Sequence, residues 1–236
     1  MPERLSRLCT TRMPTYSYKN DGRIHTRFSE LKMCTIGDPE KGKHGQIDRL
    51  VALMNGDIDP VQTNEMSFGT DRHEYFEEES KRTGKIPECF YEVAGLKDVT
   101  LDHVEKEYAV ELAPGVVIHS RPDAVAGSIG TIFDYKTVKD GKDGWQSTVK
   151  KYVYPSNRQT TFYALMLKFH GIEITRAVYL CEIWDAEYEH ILGYDSVERI
   201  ITAEDLEEVH EWALQRILLL KVAINQAAET KAFEAA

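Results

Sequence analysis

Three consecutive stretches, Lys106 to Leu112, Val116 to Ala126 and Thr131 to Val138, have the residue pattern of strands and are separated by Pro114-Gly115 and by Gly127 to Gly130. This run commits the middle of the chain to a sheet. Thr175 to Trp184 and Glu187 to Tyr194 predict a second strand pair. Between the two groups, Asn157 to Gly171 reads as a helix, with Asn157 or Ser156 as its cap and Gly171 as its stop. Upstream, Arg27 to Cys34 and Gly45 to Asn55 have short helical patterns joined by a turn signal, GDPEKGK. A polar helix is expected from Gly69 to Lys81, ended by Gly84 and Pro87. A long helix from about Thr202 carries Leu206, Val209, Ala213, Ile217, Leu220 and Ile224 at helical spacing. The expected fold class is α+β or α/β, a central mixed β-sheet flanked by helices. One domain over residues 1–236 is expected, with a helical N-terminal portion (about 1–65) and a long C-terminal helix (about 203–230).

The chain holds 42% hydrophobic and 29% charged residues, ordinary usage for a folded protein. Its longest apolar stretch, Ile217 to Ile224, is broken by Lys221 and is far shorter than the roughly 20 residues that span a bilayer. The N-terminus lacks the apolar core of a secretory signal. No membrane partner and an intracellular, cytoplasmic location are expected. The four cysteines, Cys9, Cys34, Cys89 and Cys181, lie far apart without a C-x-x-C pair, which suits free thiols in a reducing compartment.

The formal charge of -10 argues against a polyanionic partner until it is mapped along the chain. Residues 1–32 hold seven Lys/Arg against three Asp/Glu, and residues 136–158 hold six against two. Residues 182–211 hold eleven acids and one Arg. The second basic run, whose Lys139, Lys150, Lys151 and Arg158 are the expected contacts to a nucleic acid, adjoins the chemically most informative segment of the chain, HSRPDAVAGSIGTIFDYKTVKD, residues 119–140.

If Gly127 to Gly130 connect a hairpin, residues whose numbers add to 257 face each other, and Asp123 stands opposite Asp134. Directly opposed Cβ atoms lie about 5 Å apart, where two carboxylates repel and call for positive charge between them. Lys136, two residues past Asp134, projects on the same side. Two carboxylates and an ammonium therefore converge, flanked by apolar Ala124, Val125, Ile132 and Phe133. Oxygen ligands of this kind suit Mg²⁺ or Mn²⁺. A cross-strand charge cluster satisfied by Lys136 alone gives the same pattern.

Pro122-Asp123 followed by Asp134-Tyr135-Lys136 resembles the P-D and D-x-K pieces of the PD-(D/E)XK nuclease superfamily. Gly69 to His73, with Glu77, resembles the G-x-x-x-H helix motif of its RecB-type and phage exonuclease branch. Gln159 to Tyr163 matches that branch's Q-x-x-x-Y motif, and Ser29-Glu30-Leu31 is similar to its S-x-L opening. The pieces occur in the family's order over residues 69–163.

This resemblance implies a restriction-endonuclease-like core and a metal-dependent DNA exonuclease in recombination, repair or phage DNA processing. It implies Mg²⁺ or Mn²⁺ held by His73, Asp123, Asp134 and the main-chain carbonyl of Tyr135, with Lys136 positioning or activating the attacking water. Gln159 and Tyr163, four residues apart and so on one helical face, would contact the DNA strand. Taken alone, Tyr163 also fits a core stripe with Phe162, Met166 and Phe169, and His73 a surface or capping histidine. Implied partners are DNA and a recombination or single-strand-annealing protein. A structure-selective endonuclease and a non-catalytic DNA-binding accessory protein are the alternatives. One branch of the family carries a four-cysteine iron-sulfur cluster; only Cys181 lies late in this chain, so no iron-sulfur cluster is expected.

Overall fold

A computed structural model describes residues 21–35, 46–58, 63–141 and 144–234. The expected GDPEKGK turn, and most of the basic N-terminal run, lie outside the described residues. The elements in order are β1 (Ile24–Arg27), α1 (Phe28–Met33), α2 (Ile47–Asn55), α3 (Asn64–Thr83), α4 (Tyr91–Ala94), β2 (His103–Val104), β3 (Tyr108–Ala113), β4 (Val116–Ser120), β5 (Ala124–Ala126), β6 (Thr131–Lys139), α5 (Trp145–Tyr152), α6 (Gln159–Lys168), β7 (Arg176–Trp184), β8 (Ile191–Ile200) and α7 (Ala203–Glu234).

The strands form two sheets. The smaller has the order β1-β4-β3, with β1 parallel and β3 antiparallel to β4. The larger has the order β2-β5-β6-β7-β8 and is mixed, because β6 and β7 run parallel through the crossover that contains α5 and α6, while the other neighbours are antiparallel. The fold is thus a mixed α/β arrangement around a central mixed sheet flanked by helices. No helix among the described residues is long and apolar enough to cross a membrane.

The strand expected over Val116 to Ala126 is two strands in two different sheets. Pro122 has no N–H to offer a ladder, and pairing stops on either side of it. At the next turn the expected register holds: Ala124, Val125 and Ala126 pair with Phe133, Ile132 and Thr131. Gly130 closes that turn with φ +60, and a Cβ there would stand 3.2 Å from Thr175 Oγ1. Other boundaries moved for local reasons. Helix α3 begins earlier than Gly69 because the Thr63 hydroxyl accepts from Met66 N–H. Helix α5, which the sequence pattern did not announce, starts where the Asp140 carboxylate accepts from Trp145 N–H at 2.9 Å. Strand β8 starts later than Glu187, since residues 185–190 close a turn tied by Asp185.

Period-two alternation places apolar side chains on both faces of the larger sheet. Val125, Ile132, Val138 and Tyr179 pack with Val149 of α5 and Leu167 of α6. Phe133, Tyr135 and Leu180 face the other way, onto Phe76 of α3 and onto Phe90. The smaller sheet is covered by a third cluster in which Ile118 meets Phe28, Leu50, Phe162, Ile217 and Leu220. Each such fully buried side chain stabilises the fold by about 1.5–3 kcal/mol relative to exposure.

Candidate active site

Asp123 is the first residue after the break that separates the sheets, and Asp134 lies on the facing strand. By the same register that pairs β5 with β6, these two residues are opposite and point to the α5/α6 side of the larger sheet. The antiparallel pairing of β2 with β5, continued by one residue, sets Glu105 opposite Asp123, and Glu105 N–H donates to the Asp123 main-chain carbonyl at 2.9 Å. Three carboxylates therefore form a row, with Glu105 just past the end of β2, Asp123 just before β5 and Asp134 within β6. Glu105 completes it with φ 52, in the left-handed region that side chains with a Cβ seldom occupy.

Helix α3 packs on the opposite face and brings His73 over the end of the row. Its Nε2 lies 2.9 Å from Asp123 Oδ2 and its Nδ1 lies 3.6 Å from Glu105 Oε1. Tyr135 anchors α3 from below, since its hydroxyl and that of Ser80 are 2.8 Å apart. The Tyr135 N–H donates to Asp123 Oδ2 at 2.7 Å, so this carboxylate is oriented by both strand and helix. Lys136 Nζ is 2.5 Å from Asp134 Oδ2 and 6.0 Å from the Tyr152 ring centroid. Arg121 Nε approaches Glu105 Oε2 at 2.6 Å.

The ionisation of these groups follows from burial and from one another. Burial raises Asp134 to about 6, with Asp123 adding to the rise and Lys136 opposing it. Burial and the neighbouring Asp123 raise Glu105 to about 7, against Arg121 and His73. Asp123 is equally buried, yet the imidazolium of His73 and the ammonium of Lys136 hold it below the ordinary aspartate value. Burial pulls His73 down, but Asp123 and Glu105 more than offset it and bring it to about 9. Burial likewise opposes the charge on Lys136, and Asp134 and Asp123 outweigh it, so its ammonium is firmly protonated.

A divalent cation fits this donor set. Ligand atoms of His73, Glu105 and Asp123 all lie within 4.8 Å of one another. Both Asp134 oxygens are buried and lack a well-directed hydrogen-bond donor among the described residues, despite the proximity of Lys136. A buried carboxylate in that condition is costly without a further positive partner.

Gln159 and Tyr163 stand in the first two turns of α6, and Gln159 Nε2 donates to the Tyr163 hydroxyl at 3.1 Å. Both line a cleft of about 510 Å³ whose other walls include Arg27, Lys32, His119 and Arg121. Burial raises the Tyr163 phenol, and the charges of Asp123 and Asp134 raise it further, so the hydroxyl stays protonated and can donate.

The remaining sequence candidates are not gathered into this constellation. Lys139 lies over the Tyr188 ring at 4.8 Å, Lys150 and Lys151 are exposed in the last turn of α5, and Arg158 pairs with Glu208 of α7 at 2.9 Å. Glu105 escaped the sequence reading because nothing paired its segment with Asp123. The short β2 has two residues, too few to show alternation.

No protein-family model matches the chain, and no curated protein matches it in sequence. Solved structures do resemble it in fold. A phage-related exonuclease from Haemophilus somnus 129PT superposes with a TM-score of 0.52 at 12% identity, covering 88% of this chain and 97% of that one. An alkaline exonuclease from Laribacter hongkongensis gives 0.50 at 11% identity, covering 91% and 95%. At such identities the likeness concerns the fold, and the chemistry rests on the residues above.

Proposed function

We propose that this chain is a divalent-metal-dependent deoxyribonuclease, and within that class an exonuclease. The observation that carries the reading is the convergence of His73, Asp123, Asp134 and Lys136, from one helix and two adjacent strands, beside a cleft walled by Gln159 and Tyr163. The similar folds described as exonucleases support it.

Mg²⁺ or Mn²⁺ held by His73, Asp123, Asp134 and the Tyr135 carbonyl, with Glu105 as an added ligand, would supply charge relief at the phosphoryl oxygens and acidify water. Lys136 keeps its proton at Nζ and so acts as a donor, hydrogen-bonding the attacking water and the negative charge that develops on the phosphate. The Tyr163 hydroxyl and the Gln159 amide donate from the cleft wall and fix the strand, where a misplacement of about 1 Å can cost roughly 100-fold in rate. Arg27, Lys32 and Arg121 stand against one lining carboxylate, Glu107, so the cleft carries positive charge that the chain as a whole lacks.

End-labelled linear DNA and closed circular DNA, single- and double-stranded, incubated with Mg²⁺ or Mn²⁺, test both parts of the proposal. Progressive loss of linear substrates only, abolished in Asp134→Ala and Lys136→Ala, is expected. Cleavage of circles would replace exonuclease by endonuclease. Wild-type rates in either variant would remove the site assignment.

A further inference from the structure

A second cluster of titratable side chains stands in the smaller sheet, apart from the carboxylate row. Because β1 and β4 are parallel with His25 opposite Val117, His119 lies two residues further along β4 on the same face as His25. Strand β3 sets Ala109 opposite His119, which brings Glu107, two residues earlier, to that face as well. The ring nitrogens form a chain. His25 Nε2 lies 3.1 Å from Asp21 Oδ2, His25 Nδ1 lies 2.8 Å from His119 Nε2, and His119 Nδ1 lies 3.0 Å from Glu107 Oε1. His25 is 8% exposed and the His119 side chain 12%.

The end groups favour protons on the outer nitrogens of this chain. Carboxylates only accept, so the two outer nitrogens carry protons, and Arg23, which donates from Nε and Nη2 to Asp21, keeps that carboxylate ionised. One proton shared across the 2.8 Å contact of the inner nitrogens would give the two imidazoles three protons and one positive charge. Their inner nitrogens converge on a point, while each outer nitrogen is braced by a carboxylate. That bracing is the arrangement that fixes tautomer and ring orientation in histidines that bind metals.

We propose that His25 and His119 form a binding site for one late first-row divalent cation, of the class of Zn²⁺, Ni²⁺ or Cu²⁺, bound between their facing nitrogens in exchange for the shared proton. Imidazole nitrogen suits these ions, whereas the carboxylate row suits Mg²⁺ or Mn²⁺. With Zn–N bonds of about 2.05 Å at a tetrahedral angle, the nitrogens stand about 3.3 Å apart, so the rings part by roughly 0.5 Å. Water completes the shell. One ion enters, one proton leaves, and the cleft wall beside His119 gains one net positive charge.

The test is calorimetric titration of Zn²⁺ into Asp123→Asn protein, in which the carboxylate row is impaired, in two buffers of different protonation enthalpy. One ion per chain at this site, with release of one proton, is expected. Adding His25→Gln or His119→Gln should weaken that binding by more than about tenfold while circular dichroism stays unchanged. Histidine ring NMR on the Asp123→Asn protein gives a reading that does not depend on those variants: the His25 and His119 signals should be among those displaced by Zn²⁺. Binding that releases no proton, that survives both glutamine substitutions, or that leaves the two ring signals in place would overturn the proposal.

Discussion

At the scale of residues, the row of Glu105, Asp123 and Asp134 sets up an ionic balance that depends on pH. Glu105 and Asp134 are raised, to about 7 and about 6, from ordinary values of 4.5 and 3.8. Their contribution to stability is complete below the ordinary values and is lost as pH rises through the raised ones. His73, raised from 6.5 to about 9, contributes below 6.5 and loses that contribution near pH 9. Asp123 is lowered and acts in the opposite sense, adding stability above its ordinary 3.8 that is lost on acidification. In chelator, the melting temperature should therefore decline steadily from about pH 5 to about pH 9. Asp134→Asn should raise it at about pH 8 and flatten the decline between about pH 4 and pH 6, because the amide mimics the neutral acid. A lower melting temperature for Asp134→Asn at that pH would show that Lys136 outweighs the burial of the carboxylate. The Asp123 and Asp134 pairing was legible in the sequence, because glycines at 127 and 130 mark a hairpin and strand periodicity does the rest. Glu105 was not legible, since its place depends on a two-residue strand that pairs across a gap of some twenty residues.

Among the elements, α3 has the most to hold in place, since it carries His73 to a row built on strands. The residue before it, Arg72, makes a two-pronged ion pair with Glu182 of β7, from Nε at 2.8 Å and from Nη2 at 2.6 Å. Glu182 is wholly buried and also accepts from Trp184 Nε1 at 2.7 Å, while the guanidinium lies over Tyr75 at 4.7 Å. Removing one partner strands a buried charge. Arg72→Ala should cost about 3–5 kcal/mol in urea unfolding, whereas Arg72→Met with Glu182→Leu should cost far less, because it removes both charges together. Equal losses in the single and double variants would mean that packing rather than charge sets the cost. Sequence periodicity revealed α3, α6, α7 and the β5–β6 turn. It did not reveal the division between β4 and β5, because the alternation continues across Pro122 while the hydrogen bonding does not. Pro122 was visible as a motif residue, and its missing N–H was the physical signal that the strand ends there.

Over the whole molecule, a net charge of -10 coexists with a cleft that presents Arg27, Lys32 and Arg121, so the sign of the total says little about the surface that would meet DNA. The fold class was readable from the order of elements, since strands, a helical crossover and more strands imply a mixed sheet. The partition into two sheets was not, because it is a long-range choice made at one residue. That partition has a consequence for how function is distributed. Arg27 and His119, on one side of the cleft, belong to the smaller sheet, and the carboxylate row belongs to the larger one, with Arg121, Pro122 and Asp123 as the only backbone between β4 and β5. Random substitutions scored separately for retention of DNA and for its cleavage should therefore sort by sheet. Changes at the cleft face of the β1-β4-β3 sheet should loosen retention at nearly normal turnover, changes in the row, Asp123 included, should stop turnover with DNA still retained, and changes at Arg121 and Pro122 should lose both. Mapped onto the linear sequence, the phenotypes of β4 and of Asp123 would meet at a border two residues wide.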